Sequence, residues 1–248
     1  GAPPPINVSQ EAHAGSLAFE MSHGLQRIVV NCGLPGTNKE TWRQVARATA
    51  AHSTVTFNDT SSCRFLESSA LKQLVFGAPI IGGLKDVRVT RDDRPDAVLL
   101  ETSHDGYADR FHVIHHRSLM LMADGSRLDG EDSFELANAS KLPDNDGDEF
   151  ALRFHLHPSV KANRLSDGHG VMLSMTDREV WTFNAFEDQV EIEESVYLAG
   201  ADGPRRTVQI VIYGRARKNP AVRWSLAHMT RASAGERVIQ EHQPELPL

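Results

Sequence analysis

Residues 97–129 read AVLLETSHDGYADRFHVIHHRSLMLMADGSRLD. Apolar runs of β type occur at Ala97–Glu101 and Val113–Met122, and Asp105-Gly106 lies between them as a turn signal. A second turn signal, Asp124-Gly125, leads into a further run at Arg127–Asp129. Short runs joined in this way are typical of antiparallel β-structure rather than of alternating strands and helices.

The same pattern of short β-type runs extends along the chain in both directions. The other predicted strands are Ser16–Met21, Gln26–Asn31, Thr54–Phe57, Val87–Thr90, Phe150–His157, Val171–Ser174, Val180–Phe183, Gln189–Leu198, Thr207–Tyr213 and Val222–Ala227. The sequence therefore predicts an all-β fold, a large antiparallel β-sandwich that forms one domain over residues 1–235. One short helix is predicted near Lys39–Ala50 with Asn38 as its N-cap, and residues 236–248 read as a polar C-terminal tail.

Composition and charge exclude several classes of protein. Hydrophobic residues make up 40% and charged residues 24% of the 248 residues, as in an ordinary globular protein. The net charge of −7 at pH 7 disfavours a general nucleic-acid binder, which presents a basic face. No apolar run approaches the roughly 18 residues that span a bilayer, and residues 1–15 lack the pattern of a signal peptide. Cys32 and Cys63 are expected to be free thiols, with a single bridge between them as the alternative.

Twelve histidines supply the first candidates for a site. His13 and His52 each precede a predicted strand, and Asn31 closes another strand. None of the three lies in a local metal-binding motif. The alternative interpretation is that these side chains make ordinary hydrogen bonds near strand ends.

The run FHLHP supplies a second candidate. His155 and His157 would share one face of a strand and could chelate one ion, unless they are two polar residues on a solvent face. His115 and His116 are adjacent, so on a strand they point to opposite faces. In the acidic run Pro143–Glu149, Gly147 is the fourth residue counted from Asp144, whereas a calcium loop needs glycine at the sixth, which favours a solvated turn.

Three segments are informative when they are read together. The first, AHAGSLAFEMSHGLQRIVVNCG at residues 12–33, places a histidine before Phe-Glu and a hairpin. The second, WRQVARATAAHSTVTFNDTSS at residues 42–62, has Trp-Arg and then a histidine before a strand, and the third, HDGYADRFHVIHHRSLML, covers residues 104–121. Together they resemble the C-terminal β-sandwich domain of the heparinase II/III-like family of bacterial polysaccharide lyases, over about residues 5–227.

The resemblance implies a supersandwich-like domain that follows an α/α-toroid domain in the parent protein, with the substrate in the cleft between them. The implied reaction is β-elimination on uronic-acid polysaccharides such as glycosaminoglycans or alginate. A base removes the proton at C5 and an acid protonates the leaving glycosidic oxygen. The expected partners are an acidic polysaccharide and the toroid domain, with no nucleic acid and no membrane span. The resemblance leaves the compartment open between bacterial periplasm and cytoplasm.

The resemblance also implies which residues face the substrate. The family's two histidines, spaced H-x-H before the first strand, correspond to Glu11 and His13, so a glutamate stands where the substrate-facing histidine is expected. The substrate-facing candidates are Glu11, His13, Arg43 and His52. The acid/base tyrosine belongs to the toroid domain in the family, so the isolated chain is expected to be inactive.

A structural zinc ion is the cofactor that the resemblance implies. The family's three ligands correspond to His13, Asn31 and His52, with asparagine where the family has aspartate. A neutral amide is a weaker zinc ligand than a carboxylate. His155 and His157 are the alternative ligands.

The sequence therefore supports two possible functions. The favoured one is a domain that forms one wall of a polysaccharide lyase cleft. The alternative is a non-catalytic module that binds carbohydrate or serves as a structural or interaction domain. A sugar-binding module is expected to expose aromatic side chains, and the aromatic content of 6% favours the enzyme wall.

Overall fold

The structure is a computed structural model, and it describes residues 4–36, 40–66, 78–137 and 147–229. Within these ranges every strand pairing is antiparallel, which confirms the predicted all-β fold. The strands are β1 Met21–His23, β2 Gln26–Val30, β3 Val55–Phe57, β4 Arg64–Phe65, β5 Ile80–Gly82, β6 Val87–Asp93, β7 Ala97–Tyr107, β8 Val113–Met122, β9 Arg127–Leu136, β10 Glu149–Leu156, β11 Lys161–Arg164, β12 Gly170–Ser174, β13 Val180–Asn184, β14 Glu191–Tyr197, β15 Arg205–Arg215 and β16 Ala221–His228. The helices are α1 Glu40–Arg47 and α2 Ala108–Phe111, with 3-10 turns at Ile6–Val8 and Thr49–Ala51.

Two large sheets form the sandwich. The six-stranded sheet has the order β1-β2-β10-β15-β14, and β3 pairs with β10 beside β2. The eight-stranded sheet has the order β11-β12-β13-β16-β9-β8-β7-β6, and β4 pairs with β5 in a small separate sheet. No helix among the described residues is long and apolar enough to cross a membrane.

The segment that predicts the fold forms three adjacent strands of the eight-stranded sheet, next to its edge strand β6. Strand β8 pairs with β7 on one side and with β9 on the other. At the predicted turn between β8 and β9, Gly125 has a φ of 70°, and the Asp124 side chain accepts a hydrogen bond from the Ser126 backbone at 2.9 Å. Both β7 and β9 are longer than predicted, because polar residues continue their alternating pattern to Tyr107 and Leu136.

The core lies between the two large sheets. Alternate residues of β10 point inward, and the ring of Phe154 contacts those of Phe183 and Trp224 at centroid distances of 4.8 Å each. Trp224 lies against Gly130 of β9, where a Cβ atom would come within 2.1 Å of the indole. Trp224 and Gly130 are paired neighbours in the eight-stranded sheet, so the indole can lie across β9 only because this position lacks a side chain.

The helix prediction is confirmed in shorter form, because α1 ends at Arg47 and a 3-10 turn follows it. The predicted N-cap Asn38 and the predicted tail at residues 236–248 lie outside the described residues. The predicted strand at Ser16–Met21 is wrong apart from its last residue, because Leu17 takes a φ of 57° and bends the chain into a loop. Strands β4, β5 and β11 were not predicted from the sequence. Both cysteines are buried free thiols, as expected.

Candidate functional site

Two loops bring His13 and His52 together beside β10, at the gap between β2 and β3. We call residues 12–19 the first site loop and residues 48–54 the second. The second loop holds the first through backbone carbonyls: the Thr49 hydroxyl donates to the Ala14 carbonyl at 2.6 Å, and the Thr54 hydroxyl donates to the Ser16 carbonyl at 2.9 Å. Gly15 lies directly against the His52 ring, where a Cβ atom would come within 2.4 Å of the imidazole.

The two imidazoles form a histidine pair with defined proton positions. His52 Nδ1 lies 2.8 Å from the Ala48 carbonyl oxygen, which only accepts, so His52 carries its proton on Nδ1. In neutral His52 the Nε2 atom must then accept, and it does so from His13 Nδ1 at 3.0 Å. His13 Nε2 is left as a bare lone pair, and no described residue hydrogen-bonds it. The pair therefore presents a hydrogen-bond and proton acceptor.

Burial keeps both imidazoles neutral. It lowers the pKa of His52 to about 4, against the opposing effect of the Ala48 carbonyl. Burial and the nearby Arg47 guanidinium lower the pKa of His13, and Glu11 opposes them. A neutral His13 at pH 7 is the form that can accept a proton.

Asn31 does not complete a metal site with this pair. Its side-chain oxygen accepts a hydrogen bond from the Ser53 backbone at 2.9 Å, and its side-chain nitrogen donates to Glu20 at 3.2 Å. The two histidine nitrogens that face each other are already joined by a hydrogen bond. Within the described ranges no three His, Cys, Asp or Glu side chains are grouped to hold a metal. This donor set does not fit the tetrahedral zinc site that the resemblance implies.

The other substrate-facing candidates form an ion pair nearby. Arg43 on α1 donates to the Glu11 carboxylate, and the two side chains are 33% and 67% exposed. On the same helix the buried Arg47 donates to the carbonyls of Ser9 and Ala12 at 3.0 and 2.8 Å. Arg47 therefore attaches the segment that carries Glu11 to α1, a role that sequence reasoning missed.

The alternative ligands His155 and His157 have different partners. His155 Nε2 donates to the Ala50 carbonyl at 3.0 Å, so its Nδ1 accepts from the Ser195 hydroxyl at 2.8 Å. His157 Nδ1 instead lies 2.7 Å from the Ser159 hydroxyl. Burial lowers the pKa of His155 to about 4. Each ring is thus held by its own hydrogen bonds, and the structure shows no shared chelate between them.

Sequence reasoning also missed a set of buried polar side chains behind the site. We call them the buried network: His104 on β7, His115 and Arg117 on β8, and Asp132 on β9, all at most 2% exposed. As predicted, His115 and His116 point to opposite faces of β8. A signal for the network was present, because a hairpin centred on Asp124-Gly125 places Arg117 opposite Asp132.

A separate apolar groove of about 610 Å³ lies between the β1–β2 hairpin and the eight-stranded sheet. Its floor is made by aliphatic side chains of β7, β8 and β9, which are Val98, Leu100, Leu119, Leu121 and Leu128. Neither His13 nor His52 lines it. The histidine pair, not this groove, gathers the polar groups of the candidate site.

Comparison with known proteins supplies the family. Residues 1–225 match the family described as Heparinase II/III-like, C-terminal. The chain belongs to this family. The resemblance predicted from the three sequence segments is therefore confirmed.

Relatives of this heparinase II/III-like domain include FtsZ-localized protein C of Caulobacter vibrioides (strain NA1000 / CB15N). The two are 31% identical over 230 residues, which cover 90% of this chain and 39% of that protein. Similar solved structures include heparan sulfate lyase HepC from Pedobacter heparinus, with a TM-score of 0.64 at 12% identity over 88% of this chain and 31% of that one. The heparinase III-BT4657 gene product has a TM-score of 0.62 at 14% identity, over 90% of this chain and 31% of that one. These structures share the fold, and the chain spans between 31% and 39% of the length of these relatives.

Proposed function

We propose that this domain forms one wall of a cleft that binds a uronic-acid polysaccharide for β-elimination. Family membership supports the proposal, as does the shared fold with a protein named as a heparan sulfate lyase. The chain spans about a third of the length of the similar solved structures, so the proposed second wall is an α/α-toroid domain of the same parent protein. Each wall would then contribute part of the reaction chemistry.

The observation that carries this proposal is the bare Nε2 of a neutral His13. In β-elimination a base removes the proton from C5, and the electron pair of the broken C5–H bond forms the C4–C5 double bond. The C4–O bond breaks at the same time, and an acid protonates the leaving oxygen. His13 Nε2 is proposed to accept a proton or a hydrogen bond from the sugar. Both nitrogens of His52 are bonded within the fold, so His52 acts through His13.

Arg43 is proposed to neutralise the uronate carboxylate. A guanidinium pairs well with a carboxylate, and this neutralisation stabilises the charge that develops when C5 loses its proton. In the structure Arg43 pairs with Glu11, which must be exchanged for the substrate. Because both side chains are partly exposed, that ion pair stabilises the fold little, by about 1 kcal/mol or less. Replacing Glu11 by the substrate carboxylate at Arg43 therefore costs little free energy.

Calorimetric titration of this chain with heparan sulfate and alginate oligosaccharides tests the proposal. We expect binding that weakens about fivefold in His13→Ala, which corresponds to about 1 kcal/mol for one lost hydrogen bond. The matched control is His116→Ala, because His116 is partly exposed and pairs with Glu135 on the other face of β8. Absence of binding to every uronan, or equal weakening in both variants, would contradict the proposal.

A second candidate function is a non-catalytic interaction module. The Glu11–Arg43 ion pair favours it, because it occupies the position where a substrate-facing histidine is expected. The relative named FtsZ-localized protein C suggests FtsZ as the partner. Co-sedimentation of this chain with FtsZ polymers, with no affinity for uronans, would favour this function over the first.

A further inference from the structure

The buried network is centred on the Asp132 carboxylate. One carboxylate oxygen accepts hydrogen bonds from Arg117 Nε at 2.8 Å and from His115 Nε2 at 2.7 Å. The other oxygen accepts from the Trp224 indole at 2.9 Å. Burial raises the pKa of Asp132, but Arg117 and His115 outweigh it and lower the pKa to about 2. Asp132 is therefore a charged group fixed from three directions inside the sandwich.

Two histidines extend the network with a single consistent set of protons. His115 donates from Nε2 to Asp132, so its Nδ1 accepts, and His104 Nε2 lies 3.3 Å from that atom as the donor. His104 Nδ1 then accepts from the Gly106 backbone at 3.0 Å. Both imidazoles are neutral, since burial lowers the pKa of each. The chain of donors and acceptors therefore fixes one tautomer of each imidazole, with His115 donating to the Asp132 carboxylate.

Arg117 connects this network to both site loops. Its Nη1 atom donates to the Leu17 carbonyl of the first site loop at 2.7 Å and to the Ser53 carbonyl of the second at 2.9 Å. Ser53 directly follows His52. Leu17 has a positive φ of 57°, a conformation that a leucine rarely adopts, and the bond from Arg117 holds it there. The two loops that carry the histidine pair are therefore joined through one guanidinium.

The arrangement of Arg117 is not explained by stability alone. Its Nη2 atom is buried and has no hydrogen-bond partner among the described residues, which costs stability. A buried ion pair also contributes little net stability compared with apolar packing. The planar guanidinium fixes relative positions, because it bonds the Asp132 carboxylate through Nε and the two loop carbonyls through Nη1.

We propose that Arg117, oriented by Asp132, is a positioning residue that sets the hydrogen bond between His13 and His52. The buried network fixes the guanidinium, the guanidinium fixes the backbones at Leu17 and Ser53, and these backbones fix the spacing of the two rings. The inference does not rest on the proposed function, because the geometry of the pair is measured without substrate.

The test is nitrogen-15 NMR of the imidazoles in the purified chain, which distinguishes protonated from bare ring nitrogens. In the wild-type protein we expect both His13 and His52 in the Nδ1–H form. Arg117→Lys keeps the charge beside Asp132 but lacks the planar guanidinium, so we expect it to remain folded and to lose the single Nδ1–H form at His13, while the Ala48 carbonyl keeps His52 in that form. The matched control is Leu173→Ala on β12, four strands from β8 in the sheet, which should lower the melting temperature and leave the two histidines unchanged.

A second variant keeps the proposal testable if Arg117→Lys does not fold. Asp132→Glu retains the ion pair but lengthens the side chain by one methylene, so the guanidinium shifts and the same change at His13 is expected. Folded variants that retain both wild-type imidazole forms would overturn the proposal. Failure of both variants to fold would also overturn it, because the network would then serve folding rather than position.

Discussion

At the scale of single residues, the chemistry of the site depends on where a few protons lie. Backbone carbonyls of Ala48 and Ala50 accept from His52 and His155 respectively, and each bond fixes one imidazole tautomer. A carbonyl oxygen cannot donate, so these assignments follow from the heavy-atom geometry. The fold thereby presents His13 Nε2 as an acceptor and leaves His155 fully bonded.

Buried neutral histidines predict that acid destabilises the fold. The pKa of His52 and of His155 is about 4 in the folded protein, compared with about 6.5 in an unfolded chain. Between these values the unfolded state binds more protons, so the free energy of unfolding falls as the pH falls, by about 1.4 kcal/mol per pH unit for each histidine. Asp132, with its pKa lowered to about 2, contributes stability that falls only below about pH 4, where an unfolded aspartate begins to bind protons, so it does not affect this window.

Urea unfolding between pH 7.5 and pH 4.5 measures this dependence. The free energy of unfolding should be flat above about pH 6.5 and should decrease below it. His155→Gln should reduce the pH dependence of the free energy of unfolding by the contribution of one histidine, about 1.4 kcal/mol per pH unit. A free energy that stays constant down to pH 4.5 would show that these imidazoles are not neutral and buried together.

The zinc content of the purified chain also follows from individual side chains. The donor set of His13, Asn31 and His52 lacks a carboxylate, so we expect the purified, untagged chain to carry no stoichiometric zinc. Asn31→Asp restores the ligand that the family resemblance implies and should raise zinc affinity, as measured by elemental analysis after dialysis. Stoichiometric zinc in the wild-type chain that is lost in both His13→Ala and His52→Ala would instead confirm the implied site.

At the scale of strands, β10 holds the two sheets together. Phe154 is fully buried on it and contacts the rings of Phe19, Phe183 and Trp224. Phe154→Ala should therefore lower the free energy of unfolding by about 3–5 kcal/mol, and Phe19→Ala, at a partly buried position, should lower it by less.

Thermal and urea unfolding of both variants test this packing. Tyr213→Ala is the matched control, because Tyr213 lies on the same sheet, on β15, but is 49% exposed. If Phe154→Ala has a melting temperature within a degree or two of the wild-type value while Tyr213→Ala melts at a clearly lower temperature, the assignment of the inward face of β10 is wrong.

The strands were predictable where turns and apolar runs coincide. Asp124-Gly125 marks a hairpin that the structure confirms, together with strands at Val113–Met122 and Phe150–His157. The loop around Leu17 was not predictable, because its bend depends on a bond from Arg117, which is 100 residues away in sequence. His13 and His52 were grouped only through the family resemblance, since their contact also depends on loop packing.

At the scale of the whole molecule, this domain presents one side of the proposed cleft. The acid/base tyrosine and the opposite wall are proposed to lie in the toroid domain, so the chain alone should show no lyase activity. The measurement is the absorbance of the unsaturated product on heparin, heparan sulfate and alginate. Product formed above the blank by this chain would show that the domain carries a complete active site.

NMR titration of the histidine side chains with a uronan oligosaccharide shows whether His13 faces the polysaccharide. Addition of the sugar should shift the His13 Nε2 resonance in a saturable way, because that lone pair has no partner among the described residues. His116, on the opposite face of β8 from the buried network, should not shift. Saturable binding that leaves the His13 resonance unchanged would show that the sugar binds elsewhere on the domain.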